Sequence, residues 1–104
     1  MIITVFRSRL KPGAQEEYGK WAGRMSELAR KMPGYISHKV FVADDGERVT
    51  IVEFESEETQ RAWSMLGEHV EAKKKGRADF YSEYRLQICT VQRDTSFPET
   101  RGLI

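Results

Sequence analysis

Two histidines and one cysteine, His38, His69 and Cys89, are the side chains of this chain whose acid–base or nucleophilic chemistry falls nearest neutral pH. His69 follows Trp63 by six positions. A neutral imidazole there is suited to removing a proton from a substrate or to hydrogen-bonding the resulting anion. The plainer reading is that it satisfies a helix end near the surface. Trp63, Phe80, Tyr84 and Phe54 supply flat apolar walls for an aromatic ligand, with the Trp63 indole N–H and the Tyr84 hydroxyl able to orient it. Against that stands the rule that most aromatic rings in so small a domain belong to the core. Cys89, in a strand, reads as a small core residue, because no helix N-terminus is placed to lower its pKa. His38, His69 and Cys89 lie on separate elements with no zinc-like spacing, so no metal is expected.

These residues have to be positioned by a short series of elements. Ile2 to Leu10 is rich in β-branched and aromatic residues and reads as a strand, with Ile3 and Val5 on one face and Ile2, Thr4, Phe6, Ser8 and Leu10 on the other. Lys11-Pro12-Gly13 breaks it. From Ala14 to about Lys31, Tyr18, Trp21, Ala22, Met25, Leu28, Ala29 and Met32 recur at three- and four-residue spacing, which predicts a helix laid on a sheet. Pro33-Gly34 ends that helix. Tyr35 to Ala43 alternates Ile36, His38, Val40 and Val42 against Tyr35, Ser37, Lys39 and Phe41. Asp45-Gly46 then makes a tight hairpin into a strand from Arg48 to Glu55.

Ser56 stands as an N-cap before Glu57 and Glu58, and a short helix carrying Ala62, Trp63 and Leu66 follows. Gly67 breaks or bends it. Glu68 to Asp79 continues as helix, with Lys73, Lys74 and Lys75 exposed near an end that Gly76 should close. Phe80 to Arg93 is the last strand, with Phe80, Ser82, Tyr84, Leu86 and Ile88 on one face. Tyr81, Glu83, Arg85, Gln87, Cys89 and Val91 occupy the other. On that alternation Tyr81 and Tyr84 cannot serve one site. The order is β-α-β-β-α-β with the second helix split, an α+β, ferredoxin-like antiparallel sheet with helices on one face. The uncovered face still carries apolar residues, so a second copy of the sheet, a homodimer, is expected to bury them.

The 104 residues allow a single domain, taken as residues 1–93 with a tail over 94–104 that either frays or packs on a partner subunit. Seventeen Lys and Arg against sixteen Asp and Glu leave a net charge of +1, which provides no field for nucleic acid. The run from Lys73 to Arg77 lacks interleaved aromatics and reads as a solvated helix face. No apolar run approaches the roughly 20 residues needed to cross a bilayer, and no signal sequence is evident, so a cytoplasmic protein is expected. No phosphate-cradling loop supports a nucleotide, flavin or nicotinamide cofactor, and none is expected.

The opening strand ending in LKPG, the helix ending in MPGY, the run GERVTIVEFESEETQRAW, then EH and DFYSEYRLQIC resemble, in that order and spacing, the antibiotic biosynthesis monooxygenase family. The resemblance covers roughly residues 1 to 93. It implies a dimeric α+β barrel. It also implies an oxygenase that works without a cofactor on a small aromatic such as a quinol, anthrone or polycyclic phenol. His69 matches the family's histidine on a pocket-walling segment. Haem-degrading enzymes of the same superfamily carry an asparagine where Phe6 stands here, and a haem-ligating histidine where Lys73-Lys74-Lys75 stands. Both differences argue against haem. Phe6 joins the pocket candidates. Two other readings stay open: a non-catalytic dimeric small-ligand-binding or stress-associated domain, and haem binding through His69.

Overall fold

A computed structural model describes residues 1–98, so the expectation for the tail falls, from residue 99 on, outside the described residues. The chain runs β1 (Ile2–Leu10), α1 (Gln15–Arg30), β2 (Tyr35–Val42), β3 (Arg48–Phe54), α2 (Glu57–Ser64), α3 (Gly67–Lys75), a π-helical turn (Gly76–Phe80) and β4 (Tyr81–Thr90). The strands form one antiparallel sheet in the order β2-β3-β1-β4, the ferredoxin-like arrangement that the element order predicts.

Local chemistry sets most of the boundaries. Glu16 and Glu17 occupy the first turn of α1, where negative charge meets the positive end of the helix dipole. The chain leaves α1 through Gly34 at φ +81°, where an added Cβ would lie 2.5 Å from the Thr59 side chain. Gly34 therefore serves both a left-handed turn and the close approach of α2. Ser56 caps α2 by accepting from the Thr59 backbone N–H at 3.2 Å, while the Thr59 hydroxyl answers the Ser56 N–H. Gly46 at φ +90° turns the β2–β3 hairpin.

The even-numbered residues of β1 face the helices, as the alternation predicts. Ile2, Thr4 and Ser8 are buried there, beside Phe54 of β3, which pairs with Ile2. A compact core of Ala29, Phe54 and Trp63, with Met25, Leu28, Met32, Tyr35, Val52 and Leu66 against it, joins α1 and α2 to one end of the sheet. Toward the other end the helices stand off the sheet and leave a cavity.

Three expectations about the elements need correction. Gly76 does not close α3. The helix runs on through a π-helical turn in which the Tyr81 N–H reaches back to the Gly76 carbonyl. Gly76 is there for space, since a Cβ on it would meet the Tyr81 ring at 2.5 Å. The simple alternation also fails on both edge strands. The pairing of β4 with β1 steps from Arg9↔Glu83 to Leu10↔Tyr81, so Ser82 is an extra residue. Likewise β2 steps from Tyr35↔Phe54 to Ser37↔Glu53, so Ile36 is extra. Each is a β-bulge that turns the residue before it onto the helix-facing side. Tyr81 and Tyr84 thus share a face, with rings 5.7 Å apart, and so do Tyr35 and His38.

Candidate active site

The cavity between α1, α2, α3 and the sheet has a volume of about 450 Å³, within the range of sites that enclose a small molecule. Its floor is the helix-facing side of the sheet, with Thr4 and Phe6 from β1, Thr50 and Val52 from β3, His38 and Val40 from β2, and Tyr81, Tyr84 and Leu86 from β4. Its roof is the α1 stripe of Tyr18, Trp21, Ala22, Met25, Ser26 and Ala29. Gln60, Trp63 and Ser64 close one side, and His69, Ala72, Lys73, Arg77 and Phe80 the other. Val40, Tyr84 and Leu86 line it while remaining more than 40% exposed, and so form its mouth.

Of the residues singled out in the sequence, His69, Trp63, Tyr84, Phe80 and Phe6 are brought together around this space. Phe54 is not. It is fully buried in the core and does not line the cavity, because Ile2 and Tyr35 flank it on the neighbouring strands at the end where the helices close down. Phe6 packs edge-on to Tyr81 at 5.3 Å between ring centres and lies 5.5 Å from Tyr84, making an aromatic patch on the cavity floor.

His69 sits on the first turn of α3 with its imidazole stacked on the Trp63 indole, ring centres 4.2 Å apart and planes 18° from parallel. Its Nδ1 lies 3.1 Å from the Trp63 carbonyl oxygen. A carbonyl only accepts, so Nδ1 carries the proton and donates, and the lone pair is on Nε2. Burial pushes the imidazole pKa down to about 4, offset in part by the Trp63 carbonyl and reinforced by the charge of Lys73. At neutral pH His69 is an uncharged base with its tautomer set by the backbone.

Sequence reasoning passed over several residues of this cavity. By sequence His38 stands only as a metal-ligand candidate, yet it lines the cavity with Nδ1 2.7 Å from the Tyr35 hydroxyl and Nε2 3.1 Å from the Ser26 hydroxyl. Burial, with the charge of Arg30, lowers its pKa. The signal was available, since His38 shares the helix-facing side with Val40. Tyr81 was set on the far face and lines the cavity because of the Ser82 bulge. Burial holds its phenol well above the ordinary tyrosine range, so it stays protonated and able to donate. By sequence Lys73 is one of three exposed lysines. Lys74 and Lys75 do reach outward carboxylates, but Lys73 turns inward and donates to the Ser64 carbonyl at 2.8 Å and hydroxyl at 2.7 Å. Thr4 Oγ1 is buried on the cavity floor with no hydrogen-bond partner in the protein.

Cys89, expected as a small core residue, is instead exposed, and it does not line the cavity. Among the described residues no three His, Cys, Asp or Glu side chains gather as a metal site, and no helix is long and apolar enough to cross a membrane.

The chain is 32% identical over 95 residues to the YqjZ protein of Bacillus subtilis, covering 91% of this chain and 83% of that one. Among solved structures it superposes on SnoaB, a cofactor-independent oxygenase from Streptomyces nogalater, with a TM-score of 0.75 at 19% identity, over 94% of this chain and 97% of that one. Rv0793 from Mycobacterium tuberculosis gives a TM-score of 0.81 at 14% identity, over 91% and 98%. Likenesses at such low identities speak to the fold. The sequence description of antibiotic biosynthesis monooxygenases matches residues 1–75. With its sheet order, its covered cavity and that match over most of its length, the chain belongs to the antibiotic biosynthesis monooxygenase family.

Proposed function

We propose that the protein is a cofactor-independent monooxygenase acting on a small aromatic quinol, anthrone or polycyclic phenol held in the cavity, with His69 as the base. The observation that carries this reading is the state of His69. Its Nδ1–H is tied to the Trp63 carbonyl, and its Nε2 lone pair belongs to a neutral imidazole on the wall of an aromatic-lined space. Nε2 takes a proton from the substrate and leaves an electron-rich anion. That anion passes an electron to dioxygen, and the radical pair joins as a hydroperoxide. Loss of water then completes the oxidation, so that a CH2 group and O2 become C=O and H2O. The first proton returns from the imidazolium to the peroxide, and Nε2 then takes the second hydrogen of that carbon as a proton and passes it to the hydroxide that leaves as the O–O bond breaks.

A free base of pKa about 4 is weak in the empty cavity. An anion forming beside it favours the imidazolium, and in a poorly hydrated site that attraction is large compared with its value in water. Trp63 keeps the imidazole in place by stacking, and Tyr84, with Phe6 and Phe80, lines the walls against which a planar ring packs.

Two features support assembly as a homodimer. Val40, Phe41 and Val42 leave much of their surface exposed on one edge strand, as do Leu86 and Ile88 on the other, and Ile3, Val5 and Ile51 lie on the face away from the helices. A second copy is the occupant that buries both without a new element. Light scattering at micromolar concentration is expected to give twice the chain mass; a monomer mass overturns the assembly.

Oxygen uptake by metal-stripped protein, offered anthrones and hydroquinones, tests the activity. Uptake above the buffer rate is expected, and its loss in Trp63→Ala and His69→Gln. No uptake by the native protein with any of them shifts the assignment to a ligand-binding domain.

A further inference from the structure

We infer that the molecule bound in this cavity carries a fixed negative charge, a carboxylate or equivalent anion attached to the aromatic ring, which Lys73 and Arg77 recognise. The inference rests on the cavity being the substrate site, and goes beyond it by naming the substrate's charge.

Several cations pair with carboxylates on the surface: Arg7 with Glu47, Arg9 with Asp45 and Glu83, Arg24 with Glu27 and Glu68, and Arg61 with Glu57. On α3 itself Lys74 reaches Glu71, and Lys75 reaches Glu17 and Asp79. Lys73 lies between those paired neighbours and the cavity. It is half-buried, and its ammonium is held only by neutral oxygens of Ser64. Arg77, one turn on, lines the same cavity, and like charges at that spacing repel. Burial and the Arg77 charge both push the Lys73 ammonium toward losing its proton.

No aspartate or glutamate lines the cavity among the described residues. Two cations therefore border the cavity with no carboxylate in its lining, although the whole chain is nearly neutral. For the half-buried Lys73 ammonium beside Arg77 that arrangement is unfavourable, and an anion that enters with the ligand relieves it. The bidentate donor fork of Arg77 and the point charge of Lys73 suit a carboxylate in particular. The same field would also steady an oxyanion that develops only during reaction, but that role gives no preference in binding, which is what separates the two.

The test is equilibrium binding of 1-hydroxy-2-naphthoate and 1-naphthol to the full-length protein, followed by tryptophan fluorescence and calorimetry. The two probes share a ring and differ by the carboxylate. The naphthoate is expected to bind at least about tenfold more tightly at low salt, with the advantage shrinking as ionic strength rises. Arg77→Gln should cut that advantage severalfold. Lys73→Met with Arg77→Gln should abolish it and leave 1-naphthol affinity within about twofold. Because Lys73 also holds Ser64, the single Arg77→Gln change, at an exposed position, decides the matter if the double variant does not fold. Equal affinity for the two probes in the native protein, or a preference untouched by Arg77→Gln, overturns the inference. Neither reading uses dioxygen, so a protein that shows no oxygen uptake can still pass this test, and an active oxygenase can fail it.

Discussion

His38 and His69 line the same cavity, and burial lowers the pKa of both, yet their surroundings assign them different capacities. His38 has a hydroxyl on each ring nitrogen, Tyr35 on one side and Ser26 on the other. Hydroxyls donate or accept as required, so neither tautomer is imposed and neither nitrogen is left over for a substrate. His69 is held on one side by a carbonyl that can only accept, which forces the lone pair onto the other nitrogen. In a cavity with two imidazoles, the chemistry of their partners separates a structural histidine from a candidate base.

The sharpest way to break this distinction is by activity. With a substrate that supports oxygen uptake, His69→Gln is expected to lower kcat/KM by about 100-fold or more, the usual worth of a positioned base, and His38→Gln by less than about tenfold. Equal losses in the two variants would erase the distinction.

A second test reads stability against pH. In the fold His69 stays neutral down to about pH 4, whereas in the unfolded chain it titrates near 6.5. The unfolded state therefore takes up the proton first, so this group costs nothing above pH 6.5. As the pH falls toward 4 it withdraws about 3 kcal/mol of stability. Urea unfolding at pH 7 and pH 4.5 should show His69→Gln losing about 2–3 kcal/mol less than the native protein over that interval. The same acid loss in both would mean that His69 is not buried as a neutral base.

The smallest effects concern the hydroxyls. Tyr35→Phe and Ser26→Ala each remove one hydrogen bond to His38 and should cost about 1 kcal/mol. Each should also shift the tautomer balance of His38 in nitrogen NMR, while His69 remains the Nδ1–H form. A His69 spectrum with mixed tautomers would contradict the carbonyl contact.

Much of the scaffold is legible in the sequence. The alternation in β1 places Thr4 and Phe6 on the helix-facing side, the α1 stripe identifies the roof, and Ser56 marks the start of α2. These features are local, since a period of two or of 3.6 and a capping side chain act within a few residues. The errors fall where one residue's place depends on a distant partner. Strict alternation sent Tyr81 to the far face, and the Ser82 bulge returns it beside Phe6 and Tyr84, with the Ser82 hydroxyl donating to the Arg9 carbonyl. Phe54 went into the core because of what packs over it at that end of the sheet. Lys73 looked like its neighbours in the sequence and differs only by pointing at Ser64.

The sequence by itself determined the family, the β-α-β-β-α-β order and the aromatic supply of the cavity, because hydrophobic period, turn glycines and capping residues act over short stretches of chain. Only the tertiary structure decided which lysine faces inward, which tyrosines share a face and which imidazole nitrogen keeps its lone pair. Those outcomes depend on where the sheet register slips and on which oxygen lies about 3 Å from a given nitrogen, and neither is written in residue type or spacing.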